Sequence, residues 1–150
     1  MDGATRRTKL GALGIVLVVL EVFIGIGGVV SGAMLIADPR SGLGMGLGIL
    51  EGSPFKDFVV PGIILLLAVG VFPLVVAGAA IGRARWAALG HLAVSVVVLG
   101  WIVVELLLLG YLGFLQPAVV VYGVVMLGLA LRNRRTANGL ESDRPYAERA

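Results

Sequence analysis

Four long apolar runs divide this sequence, and its charged residues lie between and beyond them. The runs cover residues 10–36, 61–82, 87–109 and 117–131. A helix of about 20 apolar residues crosses a hydrocarbon core of about 30 Å, and the first three runs exceed that length. The fourth run reaches it when the preceding residues form its outer turn. The pattern therefore predicts four transmembrane helices, with the fourth at about 112–131.

Composition agrees with this pattern. Of the 150 residues, 59% are hydrophobic and only 14% are charged, whereas soluble domains have about 45–50% apolar and about 25% charged residues. The 23 glycines occur largely within the apolar runs, where small residues let membrane helices approach closely. We predict an all-α integral membrane bundle of four antiparallel helices joined by short connections.

The basic residues indicate an orientation. They precede the first run, separate the second from the third, and follow the fourth: Arg6, Arg7, Lys9, Arg83, Arg85, Arg132, Arg134 and Arg135. The opposite side carries only Arg40 and Lys56. The positive-inside rule then places both termini in the cytoplasm. This gives a basic cytoplasmic N-terminus (1–9), a transmembrane domain (10–132) with an outer loop (38–60), and a flexible cytoplasmic tail (133–150). The net charge of +3 is accounted for by topology, and we expect no nucleic-acid partner.

The outer loop has an unusual composition. After Asp38-Pro39, glycine occupies every second position from Gly42 to Gly48. Such a strip is too rich in glycine for a stable helix and too apolar to extend freely into water. Two interpretations remain open for the loop. It is either a connector that lies on the outer membrane surface or a lid that folds over a cavity between the helices.

Prolines predict where the second helix begins and where it bends. Serine is a favoured N-cap and proline a favoured first helical residue, so Ser53-Pro54 predicts one helical turn over 54–58. Pro61 would interrupt a continuous helix, and we expect a break there before the second span. Pro73, near the middle of that span, should bend it.

Several short motifs point to a family. They are Asp38-Pro39-x-Ser41-Gly42, Ser53-Pro54-Phe55-Lys56-Asp57-Phe58, Pro61-Gly62, Trp101-Ile102 and Gln116-Pro117. In these motifs the chain resembles a family of small four-helix bacterial membrane proteins that has no established activity. The resemblance implies four spans and a bacterial cytoplasmic membrane, and it carries over no functional residue.

Glu21 lies about 11 residues into the first span, close to the middle of the bilayer. At 100° per residue, four glycines lie within about 40° of it on the helical wheel: Gly14, Gly25, Gly28 and Gly32. We interpret this face as a helix-packing face and expect Glu21 to point into a helix–helix contact. Acidic residues inside a membrane are functional candidates by default, but a glutamate can also act as a hydrogen-bonding packing residue.

The third span carries two further candidates. Glu105 shares one sector of the helix with Trp101, Val98 and His91, and Ser95 lies at its edge. If this face meets Glu21, polar groups would step across the bilayer from Glu105 through Glu21 to His91, an arrangement suited to proton movement. The alternatives are that His91 anchors the helix at the interface and that Glu105 reaches the outer headgroups.

Motifs for known chemistry are missing, and three functions stay open. The chain has no cysteine and one histidine, which excludes thiolate sites and any multi-histidine metal site within one chain. It has no phosphate-binding loop, nucleophile elbow or paired-histidine helix, so we predict no cofactor and favour a non-enzyme. The leading function is a structural or accessory protein that acts by helix packing in the lipid bilayer, as a homo-oligomer or with a partner membrane protein. The alternatives are a proton-linked carrier using Glu21 and a membrane-embedded enzyme or quinone-type cofactor binder.

Overall fold

The structure is a computed structural model that describes residues 10–110 and 113–142. Within these residues it is all-helical, with a short 3₁₀ helix at Leu47–Leu50. The four long helices are α1 (Ala12–Ala37), α2 (Val59–Ile81), α3 (Ala87–Leu109) and α4 (Leu115–Ser142). All four are long and apolar enough to span a membrane, which confirms the prediction of a four-span protein. The predicted basic N-terminus and residues 143–150 of the predicted tail lie outside the described residues.

The helices are apolar on their outward faces as well as on the faces that pack in the interior. Large exposed side chains occur on every span, among them Val19, Phe23, Leu67, Val75, Val96, Val103, Val121 and Val124. The larger of two apolar clusters in the interior lies around Val69, Val76, Val94, Val98 and Met126 of α2, α3 and α4, and Leu20 and Ile24 of α1 pack against it. A helix that is hydrophobic all round suits lipid on one side and protein on the other, so the four helices form a multi-pass membrane protein.

The start of α2 differs from the prediction. No helical turn forms over 54–58; instead the Ser53 hydroxyl accepts a hydrogen bond from the Phe55 backbone N–H (3.3 Å) in a local turn. The helix begins at Val59, whose N–H donates to the Asp57 carboxylate (3.0 Å). Pro61 therefore lies in the first helical turn, where its missing N–H breaks no intrahelical bond. The predicted break before Pro61 is wrong for this reason.

Pro73 changes the helix type within α2. Residues Leu65–Val71 form a π-helical segment, and the Phe72 N–H bonds to the carbonyl of Leu67, five residues back. A proline within a helix has no N–H to donate, and its ring crowds the carbonyl four residues earlier. The wider π turn lies directly ahead of Pro73, where we expected a bend, and it buries Val69 and Gly70.

The fourth helix is longer at its C-terminal end than predicted. It begins at Leu115, so Pro117 lies in the first turn, and it continues to Ser142 rather than ending near residue 131. The sequence has no proline between Pro117 and Pro145, and alanine, leucine, arginine and glutamate in this stretch are good helix formers. The helix therefore extends through residue 133, where the sequence placed the start of the cytoplasmic tail.

The outer loop folds back onto the helices. The Phe58 N–H donates to the Pro39 carbonyl (3.0 Å), which ties the two ends of the loop together. Gly42 has a positive φ of 53°, and a Cβ there would overlap the ring of Phe58, so only glycine fits this close turn. Leu50 and Phe58 are buried against Leu35 near the end of α1. The loop thus packs over the helix ends instead of extending along the surface.

Candidate functional site

Two of the three ionisable candidates meet inside the bundle. The Nδ1 atom of His91 on α3 lies 2.7 Å from the Oε1 atom of Glu21 on α1. The side chains are 2% and 0% exposed, respectively. His91 is therefore a buried hydrogen-bonding partner of Glu21, a position that fits an interhelical contact better than the alternative of an interfacial anchor. The pair links two helices that are distant in sequence through groups that both need a partner when they are buried.

Two other polar side chains satisfy backbone groups near this pair. The Ser95 hydroxyl donates to the His91 carbonyl (2.8 Å), one helical turn back. The Tyr122 hydroxyl of α4 donates to the carbonyl of Leu20, the residue before Glu21. Sequence reasoning missed Tyr122, although its three- and four-residue spacing from Val119 and Met126 places all three on one helix face. Through Glu21 and Leu20, polar contacts join α1 to both α3 and α4.

Glu21 is completely enclosed by protein, with 0% of the residue exposed. Its second carboxyl oxygen, Oε2, is buried without a hydrogen-bond partner in the part of the chain that the structure describes. Burial without a partner is costly for a carboxyl oxygen, and low polarity strengthens the one hydrogen bond that Glu21 does make to His91. The geometry therefore suits a fixed interhelical contact more than an exchange of protons with water.

Glycines on the same face of α1 bring it against α2. A Cβ placed on Gly28 would lie 2.6 Å from the Gly70 backbone nitrogen, and one on Gly32 would lie 2.7 Å from that of Leu66. A Cβ on Gly25 would lie 2.7 Å from the side chain of Leu74. At Gly28 and Gly32 the obstructing atoms include the α2 backbone, so the interface requires glycine there. At Gly25 the nearest obstructing atoms belong to the Leu74 side chain, which would have to shift.

Of the other glycines on these two helices, some contact the neighbouring helix and Gly14 does not. Gly14 is also buried, but the nearest side chain to its Cβ position is Leu10 of its own segment, at 2.9 Å. Sequence reasoning missed two glycines on α2, Gly62 and Gly70, whose Cβ positions lie within 3.0 Å of α1 atoms. The α1–α2 contact is thus built from small residues on both helices.

Glu105 belongs to a separate site. The Trp101 indole N–H donates to Glu105 Oε2 (3.1 Å), and both side chains are half-buried. Among the described residues no hydrogen bond connects this pair with Glu21 or His91. The polar residues that we expected to form one ladder across the bilayer therefore lie in two separate groups.

The Trp101–Glu105 pair lines a partly open cavity of about 970 Å³ beneath the outer loop. Its walls come from all four helices and the loop; the loop contributes Leu43, Met45, Leu50, Phe55 and Phe58. At its inner end lie Ile24, Val69 and Val119, and Glu21 is not among the lining residues. Ile24 is three residues from Glu21, a rise of about 4.5 Å along α1, so the cavity ends about one helical turn short of the Glu21–His91 pair.

Gln116 closes the connection between α3 and α4 beside this cavity. Its side-chain Nε2 donates to the Gly110 carbonyl (3.0 Å), which holds the end of α3 near the start of α4. No three histidine, aspartate or glutamate side chains within residues 10–110 and 113–142 are grouped as metal ligands would be. Among the described residues, the polar side chains that line the cavity are Ser31, Gln116, Trp101 and Glu105.

No family model, curated protein or solved structure matches this chain. The resemblance to a family of small four-helix bacterial membrane proteins therefore stays a prediction. The short motifs behind it do share a location, since Phe55, Phe58, Pro61, Trp101 and Gln116 all line the cavity.

Proposed function

We propose that this chain is a structural or accessory multi-pass protein of the bacterial cytoplasmic membrane that acts through helix packing. The observation that carries the proposal is the hydrogen bond between Glu21 and His91, two side chains that are almost completely buried in the bundle. Lipid removes the hydrophobic drive for helices to associate, so packing of small residues and interhelical hydrogen bonds must hold them together. The glycine contacts between α1 and α2 and the Glu21–His91 bond between α1 and α3 supply both.

A proton-linked carrier is supported less well. Such a carrier needs Glu21 to exchange protons with water during its cycle. Glu21 is fully buried, and the cavity ends about one turn away from it. The arrangement favours a glutamate that needs only a hydrogen-bonding carboxyl group.

Replacing Glu21 by glutamine distinguishes packing from proton handling. Glutamine keeps the length and one hydrogen bond to His91, so we expect Glu21→Gln to fold normally and to complement a deletion strain like the unmodified protein. The measurements are melting temperature in detergent and complementation of the deletion phenotype. A variant that folds normally but behaves like the deletion would overturn the packing proposal in favour of the carrier.

A second candidate function is binding of an apolar ligand or a quinone-type cofactor. The observation that favours it is the cavity walled by Trp101 and Glu105, which has the size of typical small-molecule sites. The outer loop forms part of its wall, which supports the interpretation of the loop as a lid.

We also propose that the four spans are antiparallel, with both termini in the cytoplasm. The basic residues beside the spans support this orientation. Reporter fusions after Ala137 and after Arg85 should read cytoplasmic, and a fusion within 42–48 should read external. A cytoplasmic reading for the loop would contradict both the orientation and the charge argument.

A further inference from the structure

We propose that the cavity beneath the outer loop binds an organic cation, an ammonium or phosphonium group on a hydrocarbon body, with Glu105 as its counter-charge. The proposal rests on the second candidate function, ligand binding, and is independent of the packing role of Glu21. It follows from the charge, the aromatic lining and the size of the cavity.

Charge is the first argument. Within residues 10–110 and 113–142, Glu105 is the only acidic residue that lines the cavity, and no lysine or arginine lines it. Among the described residues its only polar contact is the Trp101 N–H on Oε2. A carboxylate in an apolar wall with no basic partner attracts a cation strongly, since water and protein dipoles screen it poorly there. The electrostatics thus favour a positively charged ligand over a neutral or anionic one.

The aromatic lining is the second argument. Besides Trp101, the cavity is lined by Phe55 and Phe58 of the loop and by Phe114 just before α4. The faces of aromatic rings attract ammonium groups, tryptophan most strongly, and desolvation increases the attraction. A carboxylate and four aromatic rings in one cavity match an organic cation better than a metal ion, which would need several oxygen or nitrogen ligands.

Size and lining give the third argument. The cavity holds about 970 Å³, at the upper end of the usual range for small-molecule sites. Away from Glu105, aliphatic side chains such as Ile64, Leu65 and Val97 line it and offer a surface for a hydrocarbon body. Two sources fit this chemistry: a lipid with an ammonium headgroup, or a free amphiphilic amine that enters from the membrane.

The test compares two probes of the same shape and opposite charge. The full chain, purified in the nonionic detergent dodecyl maltoside, is titrated with tetraphenylphosphonium and with tetraphenylborate, and binding is measured by equilibrium dialysis. We expect saturable binding of the cation and at least about tenfold weaker binding of the anion. Equal binding of the two probes, or no saturable binding of the cation, would overturn the proposal.

Variants at Glu105 test the counter-charge. Glu105→Gln should weaken cation binding by about tenfold or more, and Glu105→Asp should retain most of it. Glu51→Gln is the matched control, because Glu51 is an exposed acid of the outer loop that does not line the cavity; it should leave binding unchanged. Melting temperature checks that each variant is folded, and unchanged cation binding in a folded Glu105→Gln variant would contradict the proposal.

Two further experiments distinguish a lipid ligand from a free amine, and the cation site from the packing role of Glu21. Displacement of tetraphenylphosphonium by added phosphatidylethanolamine, but not by phosphatidylglycerol, would support an ammonium-headed lipid as the ligand. Displacement by dodecylamine but not by phosphatidylethanolamine would support a free amine as the ligand. If phosphatidylglycerol displaced the probe as readily as phosphatidylethanolamine or dodecylamine did, the result would contradict cation selectivity. Glu21→Gln should bind the cation normally. If cation binding is not observed, the packing role of Glu21 is unaffected, and if the packing role is disproved, the cation site at Glu105 is unaffected.

Discussion

Gly28→Leu should lower the melting temperature of the purified protein in detergent by about 10 °C or more, whereas Gly27→Leu should change it little. A Cβ on Gly28 would lie 2.6 Å from both the Gly70 nitrogen and the Val69 carbonyl carbon. These are backbone atoms of α2, so the clash cannot be relieved by rotating a side chain. The two helices must separate, and the contacts on either side of Gly28 are weakened with them.

The magnitude follows from overpacking. Extra carbon atoms in a well-packed interior cost about 1–3 kcal/mol, and a whole leucine side chain against a backbone should reach the upper end of that range or exceed it. For a chain of this size 1 kcal/mol corresponds to about 2–4 °C in melting temperature. A loss of about 3 kcal/mol therefore gives a shift of about 10 °C.

Gly27 is a matched control for this experiment. It is the adjacent residue at almost the same depth, it gains the same helix propensity on substitution, and a Cβ there would meet no atom within 4 Å. Differential scanning fluorimetry on the two variants measures the contrast directly. Equal destabilisation by the two substitutions would show that the Gly25–Gly28–Gly32 face is not the tight interface that the structure shows.

The glycine face illustrates what a single helix pattern can predict. α1 is regular from Ala12 to Ala37, so a constant 100° per residue places Gly25, Gly28 and Gly32 on the buried side with Glu21. In α2 the π-helical segment ahead of Pro73 changes the number of residues per turn. The phase of the pattern is lost there, and Gly70, which lies within that segment, could not be assigned to a face from sequence.

The polar residues show where such patterns stop being sufficient. The sector shared by Glu105, Trp101 and His91 was visible on α3, but which of them meets Glu21 depends on how α3 is shifted along α1. That axial offset comes from packing between different helices and leaves no trace in the periodicity of either one. His91 contacts Glu21 at 2.7 Å, and Glu105 instead turns to Trp101 one turn earlier on its own helix.

The cavity was foreseeable only in part. The sequence placed Trp101 and Glu105 in one sector of α3, and one of the two interpretations of the glycine-rich loop made it a lid over a cavity. Its construction depends on Phe58 and Leu50 folding back against Leu35, a long-range contact that no local signal specifies. The failed prediction of a helical turn at 54–58 has the same origin, since the loop follows its tertiary contacts rather than the preference of Ser53-Pro54.

Removing either partner of the Glu21–His91 pair should destabilise the bundle by about 3 kcal/mol, and removing both should cost less than the sum. Glu21→Met leaves His91 buried without its partner, and His91→Met leaves the Glu21 carboxyl with none. An unpaired polar or charged group in a dry interior costs about 1–5 kcal/mol, depending on its charge. The double variant replaces both groups with flexible apolar side chains of similar size, so no unpaired group remains.

The double-mutant cycle measures this coupling. We expect an interaction free energy of about 2 kcal/mol between Glu21 and His91, determined from unfolding of the four proteins in dodecyl maltoside micelles with increasing sodium dodecyl sulfate. A cycle between Glu21→Met and Glu105→Gln is the control. Glu105 accepts from Trp101 of its own helix and has no hydrogen bond to Glu21 or His91 among the described residues, so those two effects should add. Additive effects of Glu21→Met and His91→Met would mean that the buried contact does not fasten α1 to α3, and the packing proposal would lose the observation on which it depends.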